Sequence, residues 1–513
     1  MKEQTIPSSY IGGGVTRSKQ ENPYDLTVDQ NYVVAIWNPT NMQNYASKHI
    51  PNYRNITEIP KGHLPEDLDP YGYEDNWSNT FSGCYNLTSL PNPFYNWNGV
   101  TNISNIFYYC NNLNCSIPNI PDSVTNMSYA FYNCRNLTGS IPNIPNSVIN
   151  IAGAFEYCHN LTGSMPNIPN SVTNMSYAFA RCDNLTGSMP NIPNSVTNMS
   201  SAFAYCYNLT GSIPNIPNSV TIIAGAFEYC YNLTGSIPNI PNSVTSISYA
   251  FTNCFNLTGS IPNIPNSVIN MANAFNACRN LTGSIPNIPN SVTNMADAFA
   301  HCYNLTGSIP NIPNSVTNIR RTFQSCQNII GSIPNIPNSV TDMRYAFESC
   351  YNLTGSIPNI PNSVTNMGYA FIGCINLTGN IPNIPNNVTN MASAFRGCFN
   401  LTGSIPNIPN SVTDMADAFY YCDNLTGNIP NIPDSVTSIR NSFTNCYNLK
   451  NSNVYIYGDN LNDYRIYRCF DNIPATINIY CHANTNTYNA FVNYANASNN
   501  TGSNGPRYLY TFE

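Results

Sequence analysis

Apolar residues recur along most of this chain every three or four positions, in a unit that repeats every 24 residues. In one copy they fall at Leu137, Ile141, Ile144, Val148, Ile151, Ala154, Phe155 and Cys158, separated mainly by Asn, Thr, Ser, Gly and Pro. Pro142 and Pro145 forbid a continuous helix and interrupt any ladder, because each lacks a backbone donor and has a fixed φ. The chain must therefore turn several times per unit and bury one apolar residue at each bend. Such units stack side by side, so that like residues form columns and each rung touches only its neighbours. The pattern predicts a short parallel strand over 137–141, an extended proline-rich run over 141–145, a second short strand over 148–151 and a turn or single helical turn over 154–158.

The period identifies the architecture before any single residue does. From Cys110 to Cys446 a cysteine stands at every twenty-fourth position, with Phe three residues before it and Leu three after; Ile329 is the one substitution in the Leu column. A degenerate rung, NWSNTFSGC at 76–84, places Cys84 26 residues ahead of Cys110. About sixteen rungs spaced ~4.8 Å apart predict a β-rich solenoid on the order of 75 Å long.

Read as a motif, Cys-x-Asn-Leu-Thr, Ile-Pro-Asn-Ser-Val-Thr-Asn-Met and Ala-Phe-x-x-Cys resemble the BspA-like leucine-rich repeat, as does GVTNISNIFYYC at 99–110. The resemblance spans roughly residues 76–490. It implies a leucine-rich-repeat-like right-handed array and a non-enzymatic surface protein used for adhesion or for binding host or matrix macromolecules. On this reading 1–75 is an N-terminal attachment or capping region, 76–449 the repeat solenoid and 450–513 a C-terminal cap and tail. The first holds a Gly-rich arm at 12–14 and an expected strand, NYVVAIW, at 31–37. The last holds expected strands in NVYIYG (453–458) and ATINIYC (475–481), a short helix, a flexible linker, NASNNTGSNGP (496–506), and a closing strand, RYLYTFE.

Charge narrows the function. Only 8% of residues are charged and the net charge is −7, so no basic field exists to hold nucleic acid or an anionic membrane. No stretch approaches the ~20 consecutive apolar residues of a membrane span. The opening MKEQTIPSSYIGGGVTRSKQ lacks an apolar core, which predicts no secretory leader. A surface protein without a leader needs another route outward, and a bacteriophage virion component, released by lysis, meets that need. The expected localisation is therefore a virion or cell surface reached without a leader, or otherwise the cytoplasm.

Fifteen of the nineteen cysteines hold the 24-residue register beside Phe and Leu, which predicts buried free thiols rather than disulfides. Cys469, Cys481 and His482 lack the paired short spacings of a zinc site. The acidic residues Glu66, Asp67, Asp69, Glu74 and Asp75 lack the ligand spacing of a calcium loop. No nucleophile elbow or phosphate loop is present, so neither catalysis, cofactor nor metal is expected. The recurring Asn of Asn-Leu-Thr is expected to satisfy turn backbone in a stacked ladder.

Within the repeat most letters are constant and three sites vary: the pair before Ala-Phe, the pair after it and the residue following Cys. Nearly all of the array's charges and many of its tyrosines lie there. Tyr supplies rigid amphipathic area and Ser, Asn and Gly adaptable hydrogen bonds, a mixture suited to recognition. The densest charged and aromatic set is Arg320, Arg321, Arg344, Tyr345, Glu348 and Tyr351, the candidate binding patch. Two alternatives stand beside it: neutral drift at exposed positions, and a constant face of Thr, Ser and Asn that engages a repeating polymer. Candidate partners are a surface protein or glycan, and other virion or envelope proteins through residues 1–75. A purely structural decoration protein with no specific ligand is the competing function.

Overall fold

The computed structural model describes residues 76–90, 99–501 and 508–512, so the acidic cluster, the Gly-rich arm and the expected strand at 31–37 lie outside the described residues. The chain divides into two compact units, Met1–Val244 with Tyr249–Asn256 and Thr245–Ser248 with Leu257–Glu513.

In the first unit the columns run as the period requires. Phe107, Phe131, Phe155, Phe179, Phe203 and Phe227 stack ring on ring at centroid distances of 5.7–5.9 Å. Each rung cysteine is buried beside them. Its thiol has a bonding role: the Sγ of Cys158 donates to the Phe131 carbonyl at 3.1 Å, and Cys182 to Phe155 likewise. A small apolar side chain with a weak donor fits a column that must both pack and satisfy a carbonyl. Every cysteine is a free thiol.

Regular strand is short. β1 (Gly163–Ser164), β2 (Leu185–Ser188) and β3 (Leu209–Thr210) pair in parallel with 22-residue offsets such as Gly163 to Leu185. A second parallel ladder consists of single bridges, Asn126 to Asn150 to Asn174. Both lie where the sequence predicts strands. The Asn-Leu-Thr asparagines form a ladder as expected: the Nδ2 groups of Asn208 and Asn232 donate to the Asp183 and Tyr207 carbonyls of the preceding rung at 2.8 and 2.9 Å.

The segment expected as a turn or single helical turn is a run of turns and not a helix. Alternate amides bond to the next rung: Met127 to Asn150 (3.0 Å), Tyr129 to Ala152 (2.7 Å), Phe131 to Ala154 (2.9 Å) and Asn133 to Glu156 (2.7 Å). The amides between them close local turns, Ala130 onto Met127, Tyr132 onto Tyr129 and Cys134 onto Phe131. A helix would spend all of these amides within the rung. The alternation instead makes Tyr129 (φ 55°) and Asn133 (φ 59°) left-handed, and two such positions recur in each rung. A non-glycine residue there costs about 1–2 kcal/mol, which the cross-rung bonds and the buried Phe and Cys columns offset.

The second unit repeats this plan. Phe275, Phe299, Phe323, Phe347, Phe371, Phe395, Phe419 and Phe443 stack at 5.6–5.9 Å. β4 (Gly379–Asn380) and β5 (Leu401–Thr402) pair in parallel. The rung geometry then continues past residue 449: the amides of Ile439, Asn441, Phe443 and Asn445 bond to the carbonyls of Arg465, Tyr467, Cys469 and Asp471. Cys469, out of register in sequence, thereby occupies the Ala position, and Phe470 extends the Phe stack at 5.7 Å from Phe443.

Beyond it, β6 (Ser452–Tyr455), β7 (Ile477–His482) and β8 (Tyr508–Phe512) form one parallel sheet in the order β6-β7-β8, which gives the closing strand a partner. A short helix, α1 (Asp463–Ile466), is capped by Asn462, and α2 runs over Asn486–Thr501. The helix α2 thus extends into the segment expected as a flexible linker. Ala490 and Phe491, both buried, anchor its first half, with the Phe491 ring 6.3 Å from Phe470. Once nucleated, a helix propagates through Asn and Ser at a cost of only about 0.5 kcal/mol per residue.

Candidate functional site

The variable letters share one face, because the turn segment carries them in adjoining columns between the buried Ala, Phe and Cys. The second residue of each variable pair is the left-handed one. Its cross-rung amide bond fixes the backbone there whichever side chain it carries.

In the first unit this face is a stack of rings. Tyr108 and Tyr132 stack at 4.7 Å, and Tyr132 meets Tyr157 edge-on at 5.7 Å. Arg181 lies between the rings of Tyr157 and Tyr205, its guanidinium carbon 5.5 and 3.7 Å from their centroids, and Tyr205 stacks on Tyr229 at 4.5 Å. A parallel column follows the cysteines: Tyr207, Tyr231 and Phe255 stack at 5.2 and 4.9 Å. Stacked aromatic pairs and cation–π contacts each add of order 0.5–1.5 kcal/mol and stiffen the surface they form.

Carboxyl groups sit half-buried under these rings. Burial lifts the Glu156 carboxyl to about 7, against the opposing pull of Arg181. Glu228 is raised by burial as well, with Arg181 and a hydrogen bond from Tyr205 working the other way. His159 Nδ1 bonds to Asp183 Oδ2 at 2.7 Å, while Asp183 Oδ1 is buried with no hydrogen-bond partner among the described residues.

The six residues singled out in the sequence belong to the second unit, and the structure gathers four of them. Arg321 lies over the Tyr345 ring at 5.0 Å and reaches Asp297 at 3.9 Å, and Tyr345 stacks on Tyr369 at 4.6 Å. Glu348 accepts from Gln324 Nε2 at 2.6 Å; burial raises its pKa, offset by that bond and by Arg321. Arg320 and Arg321 both draw down the pKa of Asp297, which burial otherwise raises. Arg321 Nε is buried without a hydrogen-bond partner among the described residues.

Arg344 and Tyr351 stand apart from that group. Arg344 is closed onto Asp342 of its own rung, with Nη2 at 2.6 Å and Nε at 3.0 Å from the carboxylate. Tyr351 is exposed in the column after the cysteines and makes no ring contact among the described residues. Charge density selected this patch in the sequence and passed over the longer aromatic stack of the first unit. The available signal was the position just before or just after the cysteine, where Tyr157, Tyr205, Tyr207, Tyr229 and Tyr231 accumulate.

Among the described residues no cluster of three or more His, Cys, Asp or Glu is arranged to hold a metal. No helix among them is long and apolar enough to cross a membrane.

Comparison with known proteins places these observations. A search of curated proteins returns no match. Among solved structures, the TLR13–ssRNA13 complex aligns over 89% of this chain and 90% of its own, at 12% identity and a TM-score of 0.19. The Arabidopsis receptor kinase HAESA, in complex with the peptide hormone IDA and the co-receptor SERK1, aligns over 80% of this chain and 78% of its own, at 15% identity and a TM-score of 0.32. Those scores are too low to transfer a binding mode. The family described as BspA type Leucine rich repeat region matches residues 76–210, 199–330, 296–426, 341–473 and 416–509. With the Phe, Cys and Asn columns repeating across those same residues, the chain belongs to the BspA-type leucine-rich repeat family.

Proposed function

We propose that this protein is a non-enzymatic binding scaffold whose variable face docks an exposed segment of another protein. The observation that carries the reading is the Tyr157-Arg181-Tyr205-Tyr229 stack, a rigid amphipathic ridge built only from variable letters. Hot spots in protein interfaces concentrate in Tyr, Trp and Arg held in packed surroundings. The side chains here are ordered before a partner arrives, so little entropy is lost on docking. In the second unit the corresponding anchors are Arg321 and Tyr345, with Arg320 and Glu348 around them; Tyr351 is a separate, peripheral contact and Arg344 is already neutralised by Asp342. Exposure on a virion or cell surface, and adhesion to a host, are the settings in which such a face serves.

Selection of a displayed random-peptide library against the intact chain tests this reading. Peptides should enrich, and their affinity should fall at least tenfold when Arg181, Tyr205 and Tyr229 are replaced together by Ala. A decoration protein without a ligand would enrich nothing, or would enrich peptides indifferent to these three residues.

A further inference from the structure

Half of the constant polar letters of a rung, such as Asn304, Ser315, Thr317 and Asn318, are committed to side-chain bonds. In the second unit Ser315 and Ser339 donate to the Val292 and Val316 carbonyls at 2.6 Å. Thr341 donates to Thr317 at 3.3 Å. Where Asn387 replaces the serine, its amide donates to the Asn362 carbonyl at 2.7 Å, so the position keeps its bond.

Among the uncommitted letters, two asparagines per rung flank the buried Ile-Pro pair. Asn311, Asn314, Asn335 and Asn338 are exposed, and their side-chain amides make no hydrogen bond among the described residues. Their backbone is nonetheless fixed. The intervening Ile and Pro residues are buried, and the amides of Val316 and Val340 close turns onto the Pro313 and Pro337 carbonyls at 3.0 Å. The four asparagines border a groove of about 330 Å³ that also meets Ile312, Ile336 and Pro337, and no residue lining it is charged.

We propose that this groove binds a neutral polysaccharide along the rungs of the second unit, at a site separate from the variable face. A primary amide offers two donors and an acceptor, the complement of a hydroxyl that both gives and takes a hydrogen bond. A lining without cations gives a polyanion no electrostatic reason to bind. Asparagine pairs recurring at ~4.8 Å meet a linear polymer again and again, so contacts that are weak singly add up through effective concentration.

Affinity electrophoresis of the full chain through gels containing dextran, a soluble β-glucan or galactomannan, with hyaluronan as the anionic control, tests the proposal. At least one neutral gel should retard the protein. Alanine at both asparagines in four consecutive rungs centred on Asn335 should weaken that retardation at least tenfold with an unchanged melting temperature, since the amides bond to nothing in the fold. The Arg181, Tyr205 and Tyr229 variant should be retarded like the parent, which separates this site from the variable face. Absence of retardation in every neutral gel, retardation by hyaluronan alone, or full retardation of the asparagine variant would overturn the assignment.

Discussion

The inner columns and the left-handed columns of one turn ladder follow opposite rules. Inside, Phe and Cys are repeated without change because each has both a packing partner and, for Cys, a carbonyl to satisfy. The left-handed positions, some exposed and some buried, accept Tyr, Arg, Asp, His, Ser, Asn, Ala and Gly in turn. The backbone bond to the next rung is the same whichever side chain is present, so identity there is released from folding. The difference teaches that variation in this repeat is permitted by main-chain bonding.

The largest expected break in the comparison is Phe347→Ala. Its ring lies 5.7 Å from Phe323 and 5.6 Å from Phe371, so the substitution opens a cavity and should cost about 3–5 kcal/mol in denaturant unfolding. A loss under ~1 kcal/mol would mean the column is not a close-packed core. The same measurement on Tyr345→Ala, one column out, should register about 1 kcal/mol or less, from its lost ring contacts.

Next comes the thiol column. Cys350→Val removes the donor to the Phe323 carbonyl and adds volume, and should cost about 1–3 kcal/mol; Cys350→Ser keeps a donor and should cost less than Cys350→Val. Equal losses would show that volume alone matters. Burial also pushes the Cys326 thiol up to about 12. Thiol reagents at neutral pH should therefore label the rung cysteines only after denaturant is added.

A smaller effect concerns pH. Burial raises the Glu156 carboxyl from 4.5 to about 7, so between those values the native state holds a proton that the unfolded chain has released. Stability should fall as pH climbs through that window and level off above it. Glu156→Gln should flatten that part of the profile, and an unchanged slope would assign it to the other carboxyls raised by burial.

The smallest expected change is Tyr177→Gly. Tyr177 is left-handed (φ 57°) and exposed. Removing about 1–2 kcal/mol of backbone strain, against the entropy of a more flexible unfolded chain, should leave stability equal or slightly higher. A marked loss in thermal unfolding would show that the tyrosine side chain itself supports the rung.

Period, columns, thiols and the asparagine ladder were legible because each is a packing or bonding requirement that fixes residue type. The left-handed turns were not, since Tyr129, Arg181 and Tyr205 are side chains that backbone preference argues against in that conformation. The trace lay in the same columns, at Gly153, Gly225, Gly373 and Gly397, where glycine meets the need directly. The candidate site was half legible for a related reason. Charge is visible residue by residue, but Arg344 spends its charge on Asp342, whereas a stack such as Tyr205 on Tyr229 exists only once rung spacing sets rings face to face.

Near-identical rungs raise a question of counting. Omitting one 24-residue unit from either stack would leave the Phe, Cys and Asn columns filled, and closing the extra loop costs only a slowly growing entropy. The middle of the chain holds no landmark against such a slip. The odd rungs do: Phe81 precedes Phe107 by 26 residues, and Phe470 follows Phe443 by 27. Each closes on its neighbour with its own loop length and side chains, Trp77 on one and Cys469 on the other. They serve the array as a start and a stop codon serve a reading frame, and the identical text between them acquires its numbering from its ends.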